Sequence, residues 1–210
     1  MTGEARVSGN AGMVLIVEDD PYLRAALSSL IRSVGLQVEV FESATQFLAR
    51  GSPPANSCLL LDVQLPDESG LEVQRMLSAR GVRTPIIFMT GHGDIRMGVQ
   101  AIKAGAVEFL PKPFLDDDLL EAIGDALNRA RLCVQGQEES RALQERGALL
   151  TSREKQVMQG IVSGKLNKQV AADLGVSELT VKVHRRRVMR KMCAASLADL
   201  VRMADRLWVT

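Results

Sequence analysis

The chain has 210 residues, a formal net charge of +1, 46% hydrophobic and 24% charged residues, which suffices for proper cores in one large or two small domains. Its longest apolar runs, MVLIV (13–17) and CLLL (58–61), fall far short of the roughly 20 residues a membrane span needs, and MTGEARVSGNAG (1–12) has no signal-peptide core and reads as a flexible tail, so a cytoplasmic protein with no membrane partner is expected. Cys58, Cys133 and Cys193 are far apart, with no CxxC or CxxH pair, which argues against a disulfide framework or a zinc site.

Strand-like and helix-like stretches alternate through the first part of the chain. Short apolar runs at 13–17, 37–41, 58–61, 85–89 and 107–110 have the composition of strands buried on both faces. Amphipathic stretches near 21–33, 44–50, 69–80, 95–104 and 115–131 separate or follow them. Asp20-Pro21 reads as a helix cap followed by proline at the first helical position, and Ser43-x-x-Gln46 has the capping-box form. Five such units predict a doubly wound, five-stranded parallel sheet with helices on both faces. Leu119, Ile123, Leu127, Ala130 and Val134 continue a helical stripe toward 132–147, a helical linker in which Gly136 and Gly147 are expected breaks or hinges.

From about 148 the strand pattern stops, and a smaller all-α domain is expected over 148–210. Thr151-x-x-Glu154 is a capping box before VMQGIV. A second helix fits 167–174, Gly175 breaks it, Ser177 caps a third running to about Met192, and a fourth fits 196–207. Two short helices around a tight glycine-containing turn are the helix-turn-helix signature. Charge separates along the chain: residues 1–147 carry a net −6 and 148–210 a net +7. Lys182, Arg185, Arg186, Arg187, Arg190 and Lys191 crowd the third helix, a footprint that suits phosphate backbone or a solvated helix face.

In a doubly wound sheet, ligands gather at the carboxyl ends of the strands. The first strand ends in Glu18-Asp19-Asp20, the third in Asp62 and the fourth in Thr90, while the fifth leads to Lys112. Clustered carboxylates repel one another unless a cation sits among them, and an all-oxygen set selects a hard ion such as Mg²⁺. An aspartate in such a set can attack a phosphoryl group, with metal and lysine offsetting the developing charge. Asp20 serves as the helix cap and can also stand near a metal. Asp67 and Glu68 read as solvated turn residues, and Asp116-Asp117-Asp118 as acidic residues suited to a helix N-terminus.

These residues carry a family resemblance. VEDD (17–20), LLLDVQLPDESGLE (59–72), MTGHGD (89–94) and FLPKPF (109–114) resemble, in order and spacing, the motifs of receiver domains of two-component response regulators. The match covers about 13–131 and implies a flavodoxin-like receiver domain. By this resemblance Asp62 is the phosphoacceptor, and Glu18, Asp19, Asp62 and the Gln64 backbone carbonyl form the Mg²⁺ site. Thr90 and Phe109 are the switch residues and Lys112 faces the phosphoryl group. A cis peptide at Lys112-Pro113 is also implied. His92 reads as a loop residue.

The segment 150–192, through LTSRE, GKLNKQVA, LGVS and TVKVH, resembles the LuxR-type helix-turn-helix. Joined to a receiver, it places the chain in the FixJ/NarL branch of response regulators. Lys182, Val183 and Arg186 match the family's base-contacting positions, and lysine and arginine suit guanine while valine suits the thymine methyl. Arg187, Arg190, Lys191 and Lys168, with Arg153, are assigned to phosphates. Val181, Val188 and Met192 should face the core. The run Arg185-Arg186-Arg187 is denser than the common pattern and leaves open which arginine reads bases.

The resemblance implies a regulator phosphorylated on Asp62 by a sensor histidine kinase, forming a homodimer when phosphorylated and binding promoter DNA, with RNA polymerase as a further candidate partner. It is not a turnover enzyme, although autodephosphorylation fits the chemistry. A Mg²⁺-dependent phosphohydrolase is a rival that lacks its acid/base partner, because Gln64 occupies the position two residues after Asp62. A DNA-binding protein with a receiver used only for dimerisation is a second rival, opposed by the complete set Glu18, Asp19, Asp62, Thr90 and Lys112.

Overall fold

The computed structural model describes residues 12–91, 102 and 105–208. The helix expected over 95–104, His92 and most of the N-terminal tail lie outside the described residues. The chain divides into two compact units between Val134 and Gln135.

In the first unit, β1 (Met13–Val17), β2 (Gln37–Phe41), β3 (Ser57–Asp62), β4 (Ile86–Thr90) and β5 (Glu108–Pro111) form one parallel sheet in the order β2-β1-β3-β4-β5. Side chains alternate between its faces. Leu15, Val17, Leu59, Leu61 and Phe88 pack one way, while Val14, Ile16, Cys58, Leu60 and Ile87 pack the other. Both faces are apolar because helices cover both. Burial pushes the Cys58 thiol up to about 12, so it packs as a small hydrophobe.

Three helices follow their strands: α1 (Pro21–Ser33), α2 (Ala44–Ala49) and α3 (Gly70–Ala79). Asp20 caps α1, its Oδ1 accepting from the backbone N–H groups of Tyr22 (2.8 Å) and Leu23 (3.3 Å). Ser43 caps α2. Asp67 is exposed but is more than a solvated turn residue: its two carboxylate oxygens accept from the N–H groups of Ala44 (3.2 Å) and Thr45 (2.8 Å). The Thr45 hydroxyl also bonds this carboxyl and holds it below its ordinary value.

Helix α4 spans Asp116–Ala148 and begins with the three aspartates, where the helix dipole favours them. Leu119, Ala122, Ile123 and Ala126 join the sheet's core. Gly136 does not break the helix, contrary to the sequence expectation, whereas the helix ends at Ala148, one residue after Gly147. A glycine inside a helix costs only about 1 kcal/mol, and the surrounding Gln, Glu, Arg and Ala residues are good helix formers. At Gly147 a Cβ would lie 3.1 Å from Leu207, so the small residue allows close packing there.

The second unit holds the end of α4 and α5 (Ser152–Val162), α6 (Asn167–Leu174), α7 (Glu178–Met192) and α8 (Leu197–Trp208). The capping box at Thr151 and Glu154 is complete. Gly175 adopts φ 64°, the left-handed turn between α6 and α7 that glycine permits. Val157, Ile161, Val170, Ala171 and Val181 fill one cluster, and Met158, Val188, Met192, Leu200 and Ala204 another with Leu143 and Leu150. Among the described residues, no helix is long and apolar enough to cross a membrane.

Candidate functional site

The topology explains the first site. β1 and β3 are neighbours, so the residues leaving their carboxyl ends meet. Glu18, Asp19 and Asp62 each offer a carboxylate oxygen, all within 4.8 Å of one another. Glu18 and Asp62 are buried, and Asp19 is exposed. Lys112 arrives from the end of β5: its backbone N–H donates to the Thr90 carbonyl (2.7 Å), tying it to the end of β4. Its Nζ donates to Glu18 Oε2 (2.7 Å) and Asp62 Oδ2 (2.6 Å). The other Asp62 oxygen accepts from the Gln64 backbone N–H at 2.9 Å. The Lys112-Pro113 peptide is cis.

Burial pushes the Glu18 carboxyl above its ordinary value, and the nearby Asp62 charge adds to this against the pull of Lys112. Burial works against the Lys112 ammonium as well, but the hydrogen bonds and charges of Asp62 and Glu18 outweigh it and hold the amine above its ordinary value. One cation thus serves two carboxylates in a pocket that still opens to solvent at Asp19.

Thr90 is buried at the end of β4. Phe109 is half-buried on β5, its ring centroid 6.5 Å from that of Phe88. The structure therefore brings together Glu18, Asp19, Asp62 and Lys112, with Thr90 joined through the backbone of Lys112.

Two supporting residues escaped the sequence reading. Arg24, one turn into α1, donates from Nη1 to the carbonyls of Glu18 (2.6 Å) and Asp19 (3.0 Å), pinning the acidic turn. Gly70 opens α3 with its N–H on the Val63 carbonyl (3.0 Å), and a Cβ there would collide with the Asp62 carbonyl oxygen. A glycine just after a phosphoacceptor-like loop was the available signal for Gly70. Arg24 carried none beyond its place in the helix after the acids.

The second site is the outer surface of α7. Lys182, Val183, Arg186, Arg187 and Arg190 are exposed, as is Lys168 on α6. Val183, Arg186, Arg187, Met189, Arg190 and Cys193 are among the residues lining an open groove of about 930 Å³. Arg185 is half-buried and donates to Asn167 Oδ1 at 3.4 Å, which separates it from its two exposed neighbours. Arg153 donates to the Leu174 carbonyl at 2.6 Å. Lys191, assigned to phosphate from the sequence, has its ammonium on Glu154 Oε2 (2.6 Å) and the Leu149 carbonyl (3.0 Å). Glu154 is 2% exposed. Burial pushes its carboxyl up, but Lys191 and Thr151 overcome this and hold it down at about 2. His184 is half-buried, its Nδ1 lacking a hydrogen-bond partner among the described residues.

Two family profiles match the chain, one over each part. The response regulator receiver domain profile matches residues 14–124, and that of the bacterial regulatory proteins of the luxR family matches 148–204. The chain belongs to the response regulators that join a receiver domain to a LuxR-type DNA-binding domain. More narrowly, its relatives are FixJ-like regulators. It is 49% identical to response regulator protein TodT of Pseudomonas putida strain F1, over 98% of this chain and 91% of that protein. It is 45% identical to the transcriptional regulatory protein FixJ of Azorhizobium caulinodans, over 91% and 90% of the two chains. Among solved structures, response regulator StyR aligns with a TM-score of 0.85 at 44% identity, covering 93% of this chain and 99% of that one. The protein is a transcriptional response regulator of a two-component system, which implies a histidine kinase and promoter DNA as partners.

Proposed function

We propose that Asp62 accepts a phosphoryl group from the histidine kinase and that this cytoplasmic event controls promoter binding. The observation that carries the reading is the Lys112 ammonium shared between Glu18 and Asp62, with Asp19 beside them. A carboxylate oxygen of Asp62 attacks the phosphorus of a phosphohistidine; the O–P bond forms, the P–N bond breaks, and the imidazole leaves with the electron pair. Lys112 then holds a phosphoryl oxygen, and the Thr90 hydroxyl moves to another. Glu18, Asp19, Asp62 and the Gln64 carbonyl form an all-oxygen set suited to Mg²⁺, which when bound offsets charge on the transferring group. Water attack on the acyl phosphate resets the site.

A largely apolar groove of about 530 Å³, which Lys112 and Asp116 also line, is formed by Leu23, Ala26, Leu27, Leu30, Pro113 and Phe114. Tyr22 and Leu115 are 86% and 70% exposed close by in sequence. Such a surface next to the acceptor supports docking of the kinase there.

Residues 13–131 act as the receiver, 132–147 as a helical linker and 148–210 as the DNA-binding domain. Phosphorylation draws Phe109 inward after Thr90, reshapes the β5 face and favours a homodimer matched to a two-fold site. Lys182, Val183 and Arg186 meet base edges, Arg187, Arg190 and Lys168 meet phosphates, and RNA polymerase is a further contact at the promoter. Acetyl phosphate with Mg²⁺ should phosphorylate the full-length chain and raise both its oligomer size and its DNA affinity. Asp62→Asn should abolish all three responses, and a variant that still responds would refute the assignment.

A further inference from the structure

The basic helix α7 carries an outward stripe that is apolar at its leading end. At about 100° per residue, Leu179, Val183, Arg186 and Arg190 fall within a window of about 60°. Val181, Val188 and Met192 fall roughly 180–220° from Leu179, and all three are fully buried. The stripe is therefore the part of the helix pointing most directly away from the core. Lys182 stands about 60° to one side and Arg187 about 80° to the other, flanking it.

The other side chains of the first turn are engaged locally. Glu178 pairs with Lys182 at 3.4 Å, and the Thr180 hydroxyl lies 2.8 Å from that of Ser177, the helix cap. Leu179 is left facing outward at 72% exposure, with Val183 one turn on at 44%. An isolated exposed leucine needs no explanation. This one leads a stripe that continues into Arg186, on the helix whose N-terminal end meets base edges in a helix-turn-helix.

We propose that Leu179 is a further specificity-determining residue and that Leu179 and Val183 together read thymine C5-methyl groups in the major groove. The methyl group of thymine is the apolar feature presented there, and two apolar side chains at i and i+4 lie side by side on a helix. Arg186 then supplies the guanine contact next along the stripe. The reading rests on DNA recognition by α7 and adds to it a dependence on pyrimidine methyl groups.

The test uses the full-length chain with acetyl phosphate and Mg²⁺. A binding duplex is selected from a random library, and each thymine in it is replaced singly by deoxyuridine. Burying one methyl group is worth about 0.8 kcal/mol, or about fourfold in affinity. Wild type should lose about fourfold at two distinct thymines of each half-site. Leu179→Ala should be indifferent to one of these replacements and Val183→Ala to the other, while Leu179→Met keeps both losses. The proposal is overturned if wild type tolerates every deoxyuridine, or if Leu179→Ala keeps the full wild-type pattern. Failure to enrich any duplex would instead overturn DNA recognition itself, and this inference with it.

Discussion

Replacing Lys191 by methionine separates two roles open to a cation near the end of a basic helix. In the structure its ammonium sits 2.6 Å from Glu154 Oε2, an oxygen that also accepts from the Thr151 N–H at 2.9 Å. Without the lysine, a carboxylate that is 2% exposed keeps little compensation. The drop of the Glu154 carboxyl from 4.5 to about 2 corresponds to roughly 3 kcal/mol before screening. The Thr151 hydrogen bonds share in that drop and the Lys191 side chain is 28% exposed, so solvent screens the pair, and about 2 kcal/mol is the expected loss. In a unit of this size that lowers the melting midpoint by roughly 8–16 °C, read from the second unit's transition in calorimetry of the full chain. The slope of log affinity against log salt should be unchanged, whereas Arg187→Ala should make it shallower by about 0.9. The linkage has a definite sign. A depressed carboxyl stabilises the folded unit above its ordinary 4.5, and that stabilisation is lost as pH falls toward about 2. Glu154→Gln should lack this dependence. A Lys191→Met chain that melts like wild type, yet loses about 0.9 from its salt slope, would refute the reasoning.

Gly70→Ala should drive a Cβ into the Asp62 carbonyl, costing about 1–3 kcal/mol in a denaturant melt and slowing phosphoryl incorporation from acetyl phosphate; wild-type values for both would show that the turn has room. Lys112→Ala leaves the buried Glu18 and Asp62 carboxylates without their shared ammonium, so in chelator the receiver should lose about 3 kcal/mol. Mg²⁺ should then raise its melting temperature by more than it raises that of wild type, and an equal shift would count against a common electrostatic role for lysine and metal.

Much of this architecture is readable from local pattern. MVLIV and CLLL are apolar on both faces because helices cover both sides of the sheet, so those strands fall within a residue of expectation at both ends. β3 takes in one residue more at each end, Ser57 and Asp62, and Ser57 is buried with its hydroxyl on the Pro54 carbonyl (2.6 Å). The acids were legible as a group because a doubly wound sheet gathers strand ends. The same rule carried Lys112 to that edge, although it lies 50 residues from Asp62 and 94 from Glu18. What local pattern did not supply is the pairing of Lys191 with Glu154, 37 residues away, which depends on which helices become neighbours. Composition also misjudged Gly136, since it registers the local cost of a glycine in α4 but not the helix formers around it.

The run Arg185-Arg186-Arg187 shows why counting charges overstates contacts. Successive residues on a helix point about 100° apart, so three adjacent arginines cannot share one surface. Arg185 turns toward Asn167 on α6, Arg186 lies in the outward stripe, and Arg187 flanks it. Lys191 is withdrawn by Glu154. Of the six cations between 182 and 191, Lys182, Arg186, Arg187 and Arg190 therefore remain exposed, and Lys182 is drawn toward Glu178. The density of the run reflects one internal hydrogen bond and two external surfaces. Its positive charge favours encounter with DNA in general, whereas under the proposed reading discrimination between sequences rests on Lys182, Val183 and Arg186, with Leu179.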